Sequence, residues 1–158
     1  MIVTAPITRL AALTAILAGS LAAAPPTSDA DFRVTDIRAQ LLYEHSGRLS
    51  VDLTATPDFA IWNTVIGEGS AEEPADDMLV SAVISGPDEA NLTVPLTIIV
   101  RDAKGKVLAS RMFTPLLAAK TYVRSVLVRD AGCAGMIRME ARLGKSVHRE
   151  NIEMACGE

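Results

Sequence analysis

The sequence predicts an all-β fold, an antiparallel sandwich of about eight strands, and three observations carry the prediction. Short stretches in which apolar and polar residues alternate recur along the chain, separated by turn signals rich in glycine and proline. Several neighbouring stretches are spaced to pair as hairpins across tight turns. The two cysteines, Cys133 and Cys156, lie at mirror positions about Gly144-Lys145, where a disulfide would staple the last hairpin.

Residues 1–22 read as an export signal. Arg9 supplies the positive start, Leu10 to Leu21 is uncharged and apolar, and Ser20-Leu21-Ala22 offers the small residues a signal peptidase reads. A cut after Ala22 is favoured over one after Ala24, which would leave Pro25 next to the scissile bond. The rival is an uncleaved anchor, but the run is shorter than the ~20 residues a membrane span needs. No later run approaches that length, so no span is expected in the mature chain. Residues 23–31 are small, proline-rich and polar, a flexible lead-in. Residues 32–158 are then long enough for one domain with its own core.

From Phe32 to His45, Val34, Ile37, Leu41 and Tyr43 are mixed with Arg33, Asp36, Arg38 and Glu44. This is a strand with a phase slip near Arg38 to Gln40 that a bulge would absorb. A 3.6-residue period fits part of it, so a helix stays open. After the Ser46-Gly47 turn, Leu49, Val51 and Leu53 alternate with Ser50, Asp52 and Thr54, a half-buried strand hairpinned to the first. Thr56-Pro57-Asp58 carries a cap, a first-turn proline and an acid suited to the helix dipole, so one helical turn followed by extended chain is expected. Gly67 to Asp77, with two glycines, a proline and five acids, is a loop.

Strands follow over Met78 to Ile84, Leu92 to Arg101, Lys106 to Phe113 and Tyr122 to Val128. Pro95 lacks a donor, so the second is an edge strand or starts after the proline. Its largely apolar run, Leu96 to Val100, suggests cover on both faces or a sheet junction. Asp102 to Gly105 is a tight turn, and Thr114 to Ala119 is a helical turn or an irregular crossing. In the last hairpin, a Gly144-Lys145 turn sets Ile137 against Ile152, Glu140 against Arg149 and Cys133 against Cys156. Met139 against Glu150 and Ala141 against His148 match poorly, so a shift of one residue is also open. A Cys133–Cys156 bond suits an oxidising compartment and would stabilise the fold by about 3 kcal/mol in the chain-entropy model. Strands of this number and spacing describe an immunoglobulin-like sandwich.

Charge and motif content exclude several functions. The chain carries 15 basic and 19 acidic residues; without the leader and its Arg9 it holds 14 against 19, a net charge of −5. That argues against a nucleic-acid partner and against attachment to anionic lipid. There is no GxSxG and no SxxK with a suitable downstream motif, and neither His45 nor His148 has a sequence-local partner that would mark a base. No catalytic residue is expected. Glu68, Glu72, Glu73, Asp76 and Asp77 are the one calcium candidate, but they lack the ladder of an EF-type loop, so a solvated loop and no metal are expected. Gly67-Glu68-Gly69 lacks the third glycine and the following helix of a nucleotide fingerprint, so no cofactor is expected. Asn91-Leu92-Thr93 fits a glycosylation acceptor.

Phe59 to Gly69 has the most individual chemistry, with the only tryptophan, Trp62, beside Asn63. One reading makes Trp62, Asn63, Glu68, Glu72, Glu73, Asp76 and Asp77 a ligand or partner surface. The favoured one places Trp62 in the core with Asn63 satisfying a loop backbone. The IWNTVIGEGSAEEP stretch, the RDAKGKVLASR hairpin and the CGE terminus together resemble a family of small exported bacterial proteins with no assigned activity. The likeness covers Phe32 to Glu158 and is most specific at Trp62-Asn63-Thr64, Gly67-Glu68-Gly69 and Cys156-Gly157-Glu158. It implies a single exported domain and adds no catalytic residue. The expected function is a periplasmic or secreted, non-enzymatic module that binds a protein or envelope component. The alternative is a small-ligand or calcium-binding module using Trp62 to Asp77.

Overall fold

The structure, a computed structural model, describes residues 31–87, 90–114, 116–118 and 120–157; the expected export signal and nearly all of the expected lead-in lie outside them. The described residues hold nine strands: β1 (Arg33–Leu42), β2 (Asp77–Ser85), β3 (Ala90–Leu92), β4 (Leu96–Arg101), β5 (Val107–Phe113), β6 (Leu116–Ala118), β7 (Thr121–Val128), β8 (Gly135–Leu143) and β9 (Ser146–Met154). One sheet has the order β1-β2-β7, a second β5-β4-β8-β9, and β3 and β6 form a short pair. All the strand pairs are antiparallel. The chain leaves the first sheet after β2, returns for β7 and crosses again to β8, as the strands of an immunoglobulin-like sandwich do. Among the described residues no helix is long and apolar enough to cross a membrane.

Period-two alternation builds the core. Ile37, Ala39 and Leu41 of β1, Met78, Val80, Ala82 and Ile84 of β2, and Val126 and Val128 of β7 are buried on the first sheet. Leu96, Ile98 and Val100 of β4, Ile137, Met139, Ala141 and Leu143 of β8, and Ile152 and Met154 of β9 meet them from the second. The last hairpin has the expected register, Ile137 with Ile152 and Glu140 with Arg149, so the one-residue shift does not occur. Gly144 makes this two-residue turn possible by adopting φ 56°. The Cys133–Cys156 disulfide forms, with Cα atoms 5.3 Å apart.

Four expectations need correction. The phase slip of β1 lies between Val34 and Asp36, not near Arg38 to Gln40, and lets Val34 and Ile37 share the buried face. Leu49 to Thr54 is not a strand, because short polar side chains replace part of the backbone ladder to β1, of which Ser50 N–H to the Leu41 carbonyl and Leu53 N–H to the Ala39 carbonyl remain. Ser50 Oγ accepts from Leu41 N–H at 2.9 Å, Asp52 Oδ1 accepts from Ala39 N–H at 3.1 Å, and Thr54 Oγ1 donates to the Ile37 carbonyl at 3.1 Å. The expected alternation fails at its start, where Ser50 is buried while Leu49 and Val51 are exposed, and holds only at Leu53, which is buried. Thr114 to Ala119 contains β6, which pairs with β3, rather than a helical turn. The Leu96 to Val100 run lies inside the four-stranded sheet with one buried face; Thr97 and Ile99 on the other are half-buried.

The two long sides of the sandwich differ. Where β1 and β9 meet, Val34 N–H donates to Ser146 Oγ at 3.0 Å, and the 49–54 segment covers the outer edge of β1. On the other side, β5 and β7 are the last strands of their sheets, and among the described residues no strand pairs with either outer edge.

Candidate functional site

The Trp62 to Asp77 region folds into an interlocked loop. After a turn in which Phe59 N–H donates to the Thr56 carbonyl, the chain runs extended and pairs with the tail beyond β9. Ala155 N–H donates to the Ile61 carbonyl at 3.0 Å, and Asn63 N–H donates to the Ala155 carbonyl at 2.8 Å. Asn63 then turns into the left-handed region, φ 46°, which asparagine tolerates better than most residues, and starts a 3-10 turn over Thr64–Ile66. Its side-chain oxygen accepts from Gly157 N–H at 2.6 Å, and its amide donates to Glu68 Oε2 at 2.7 Å. Gly69, at φ 70°, presses against the Ala60 carbonyl and Trp62, leaving no room for a Cβ. The neighbouring pieces 62–64 and 67–69 therefore meet the sequence-distant 156–157 at one point beside the disulfide.

Asn63 satisfies the backbone of the tail, but Trp62 is 45% exposed and not in the core. Its neighbours Ile61 and Asn63 carry the bonds to Ala155, which leaves the indole on the outer side of the bridge, over Gly69.

The acids of the loop spread to different partners. Glu73 accepts from Ser46 N–H at 2.9 Å and shares Arg48 with Glu72, at 3.3 and 3.1 Å. Partial burial pushes the Glu73 carboxyl up, but the hydrogen bonds from Ser46 and Arg48 outweigh it and hold the group below its ordinary range. The Glu73 hydrogen bond leads the causes that raise Arg48. Asp76 Oδ1 accepts from Gly132 N–H at 3.2 Å and Asp77 Oδ1 from Asp130 N–H at 3.3 Å, tying the loop to the turn before Cys133. Among the described residues no three His, Cys, Asp or Glu side chains converge in a way that could hold a metal ion. His45 is exposed at its turn, and His148 Nε2 lies 3.3 Å from Glu150 Oε1. Asn91 lies in β3.

A second site was not marked by the sequence. Arg111, Met112 and Phe113 of β5, Thr114, and Val123, Arg124 and Ser125 of β7 line a cleft of about 530 Å³ on the open side of the sandwich. Arg111 pairs with Ile98 and Arg124 with Ala82, both core positions, so both arginines point inward at the mouth between the sheets. Rings hold them there. The Arg124 guanidinium lies 4.3 Å from the Tyr122 ring centre and 5.9 Å from that of Phe113, and Arg111 lies 4.9 Å from Phe113. None of the seven lining residues is acidic, and among the described residues neither arginine has a carboxylate partner. The alternation Tyr122, Arg124, Val126 is legible in the sequence, but nothing local announces that Arg111 lies across from it.

No protein-family model matches the chain, and no curated protein matches it. Among solved structures it is similar to the Bifidobacterium dentium β-glucuronidase complexed with coumarin-3-O-glucuronide, with a TM-score of 0.42 and 16% identity over 78% of this chain. The chain spans 18% of that enzyme's length. It is also similar to the C-terminal domain of wzt, with a TM-score of 0.40 and 9% identity over 81% of this chain and 74% of that one.

Proposed function

We propose that this chain is an exported, non-enzymatic β-sandwich domain, periplasmic or secreted, that binds a protein or envelope component through the cleft between β5 and β7. One observation carries the proposal: two ring-held arginines, without a counter-charge or a strand on the adjoining sheet edges among the described residues, stand where both sheets end. Export is supported by the leader sequence and by the disulfide, which suits an oxidising compartment. The resemblance to small exported bacterial proteins belongs to the same reading. Its non-enzymatic part is supported by the separation of the two histidines, one on an exposed turn and one beside Glu150 on β9. The alternative site at Trp62 to Asp77 has nearly all its polar side chains engaged within the chain, which leaves Trp62 and Ile66 as its exposed apolar contacts.

The test is affinity capture from periplasmic or culture extract with the immobilised mature chain and with an R111E/R124E variant. A component retained by the wild type and lost by the variant is the expected result. No retained component, or equal retention by both, overturns the proposal.

A further inference from the structure

We infer that the partner at the cleft is an extended acidic polypeptide segment that adds as a further strand to the free edge of β7; the inference rests on the binding reading above and names its ligand. Among the described residues β7 is paired on one edge alone, to β2, and that register runs without a shift from Thr121 opposite Ser85 to Val128 opposite Met78. Its sequence, TYVRSVLV, has no proline and no bulge. Such an edge offers a row of unpaired N–H and C=O groups, the template that strand addition uses. β5, across the cleft, is the poorer template because its register shifts between Val100 and Arg101 of its partner β4.

The two faces of β7 set the chemistry of the added strand. Val123 and Leu127, opposite Val83 and Leu79, point away from the core and are 42% and 40% exposed. Arg124 points the other way, into the mouth, where it and Arg111 both sit on Phe113. A strand laid beside β7 puts one alternate set of side chains next to Val123 and Leu127 and the other set over the arginines. Apolar residues match the first set and carboxylates the second, so the fitting segment alternates apolar and acidic residues. A carboxylate takes two parallel bonds from a guanidinium, and among the described residues lining the cleft there is no acid to compete. Addition of a second copy of β7 would instead bring another Arg124 toward two arginines, which disfavours self-pairing.

An acidic sugar would share the carboxylate but fits less well. It would stack on the faces of Phe113 and Tyr122, which the guanidiniums already occupy at 4.9 and 4.3 Å, and it would leave the β7 edge unpaired.

The test titrates the mature chain with three probes: an eight-residue peptide of alternating valine and glutamate, its valine–lysine counterpart and an oligogalacturonate. The glutamate peptide is expected to bind saturably and to slow hydrogen exchange at the amides of β7, while the lysine peptide does neither. R124Q and R111Q should each weaken binding about tenfold, the scale of one lost charge-assisted contact. Arg111 is exposed, so R111Q keeps the test valid if R124Q does not fold. R138E, on the outer face of the other sheet, should change affinity by less than about twofold, since a distant exposed charge is screened.

No binding of the glutamate peptide overturns the inference, and so does an equal loss in R138E, which would mean diffuse charge attraction. Oligogalacturonate binding without β7 protection would reassign the cleft to acidic sugars. Aggregation of R124Q with no peptide binding to the wild type would make the arginines edge guards alone. If the peptide fails while R111E/R124E still loses a component captured from extract, the binding proposal stands and only the strand-addition inference falls.

Discussion

The Trp62 to Asp77 loop and the β5/β7 cleft use their polar groups in opposite ways. In the loop nearly every polar side chain has a partner within the chain: Asn63 with Gly157 and Glu68, Glu73 with Ser46 and Arg48, Asp76 with Gly132, Asp77 with Asp130. In the cleft two guanidiniums rest on aromatic rings with their donors still available. The loop is denser in chemistry along the sequence, yet that chemistry is consumed in holding the loop, the tail and the turn before Cys133 together. Recognition needs groups that folding has left unengaged, and those are in the cleft.

This contrast predicts that the loop controls stability and the cleft controls binding. The largest effect should come from the disulfide: a C133S/C156S variant should lose about 3 kcal/mol in urea unfolding, because the open chain gains the entropy of a loop with sequence separation 23. A loss near zero would mean that the tail is held by its hydrogen bonds alone. Next is Gly132→Ala, whose new Cβ would run into Val65 at the centre of the loop contacts; a cost of about 1–3 kcal/mol is expected from overpacking. Asn63→Ala should cost about 2 kcal/mol, since it removes the hydrogen bond to Gly157 N–H and forces alanine to φ 46°. Asn63→Gly should recover part of that loss, because only the backbone term is restored, and failure to do so would place the whole effect in the side-chain bonds.

Smaller and dependent on pH is Glu140, held below its ordinary value of 4.5 first by a hydrogen bond from Arg142 and then by Arg149, against some burial. A carboxyl with a depressed folded-state pKa binds its proton less readily when folded than when unfolded. Its stabilisation is therefore complete above the ordinary value and fades as pH falls through the folded one. The stability gap between wild type and E140Q should stay constant from neutrality to about pH 4.5 and close below it; a gap that persists in acid would assign it to packing instead. Smallest of all, R111Q should shift stability by no more than about 0.5 kcal/mol, as an exposed substitution without an ion pair to break. A larger loss would turn the cleft into a second structural clamp and remove the contrast.

Much of the fold was legible because period-two alternation is a local property. β2, β4, β5, β7, β8 and β9 follow from it, as do the Asp102–Gly105 and Gly144-Lys145 turns. The errors arise where side chains act as backbone or where backbone direction overrides residue type. Ser50, Asp52 and Thr54 replace ladder bonds, so an alternating stretch is not a strand. Leu116–Ala118 pairs as β6 without any alternating signal. Trp62 is apolar enough for a core but lies on the outer side of a bridge.

The candidate site divides in the same way. The sequence alone narrowed the last hairpin to two registers, since the turn and the mirrored cysteines favour one and a shift of one residue stayed open. It also supplied each arginine and each ring. Only the tertiary structure decided that Arg111 and Arg124, on different sheets, come to share one mouth, and that among the described residues no strand pairs with the edges beside them. Alternation specifies which face of a strand is buried, but the choice of neighbour is made by the packing of one sheet on the other, which no local pattern encodes.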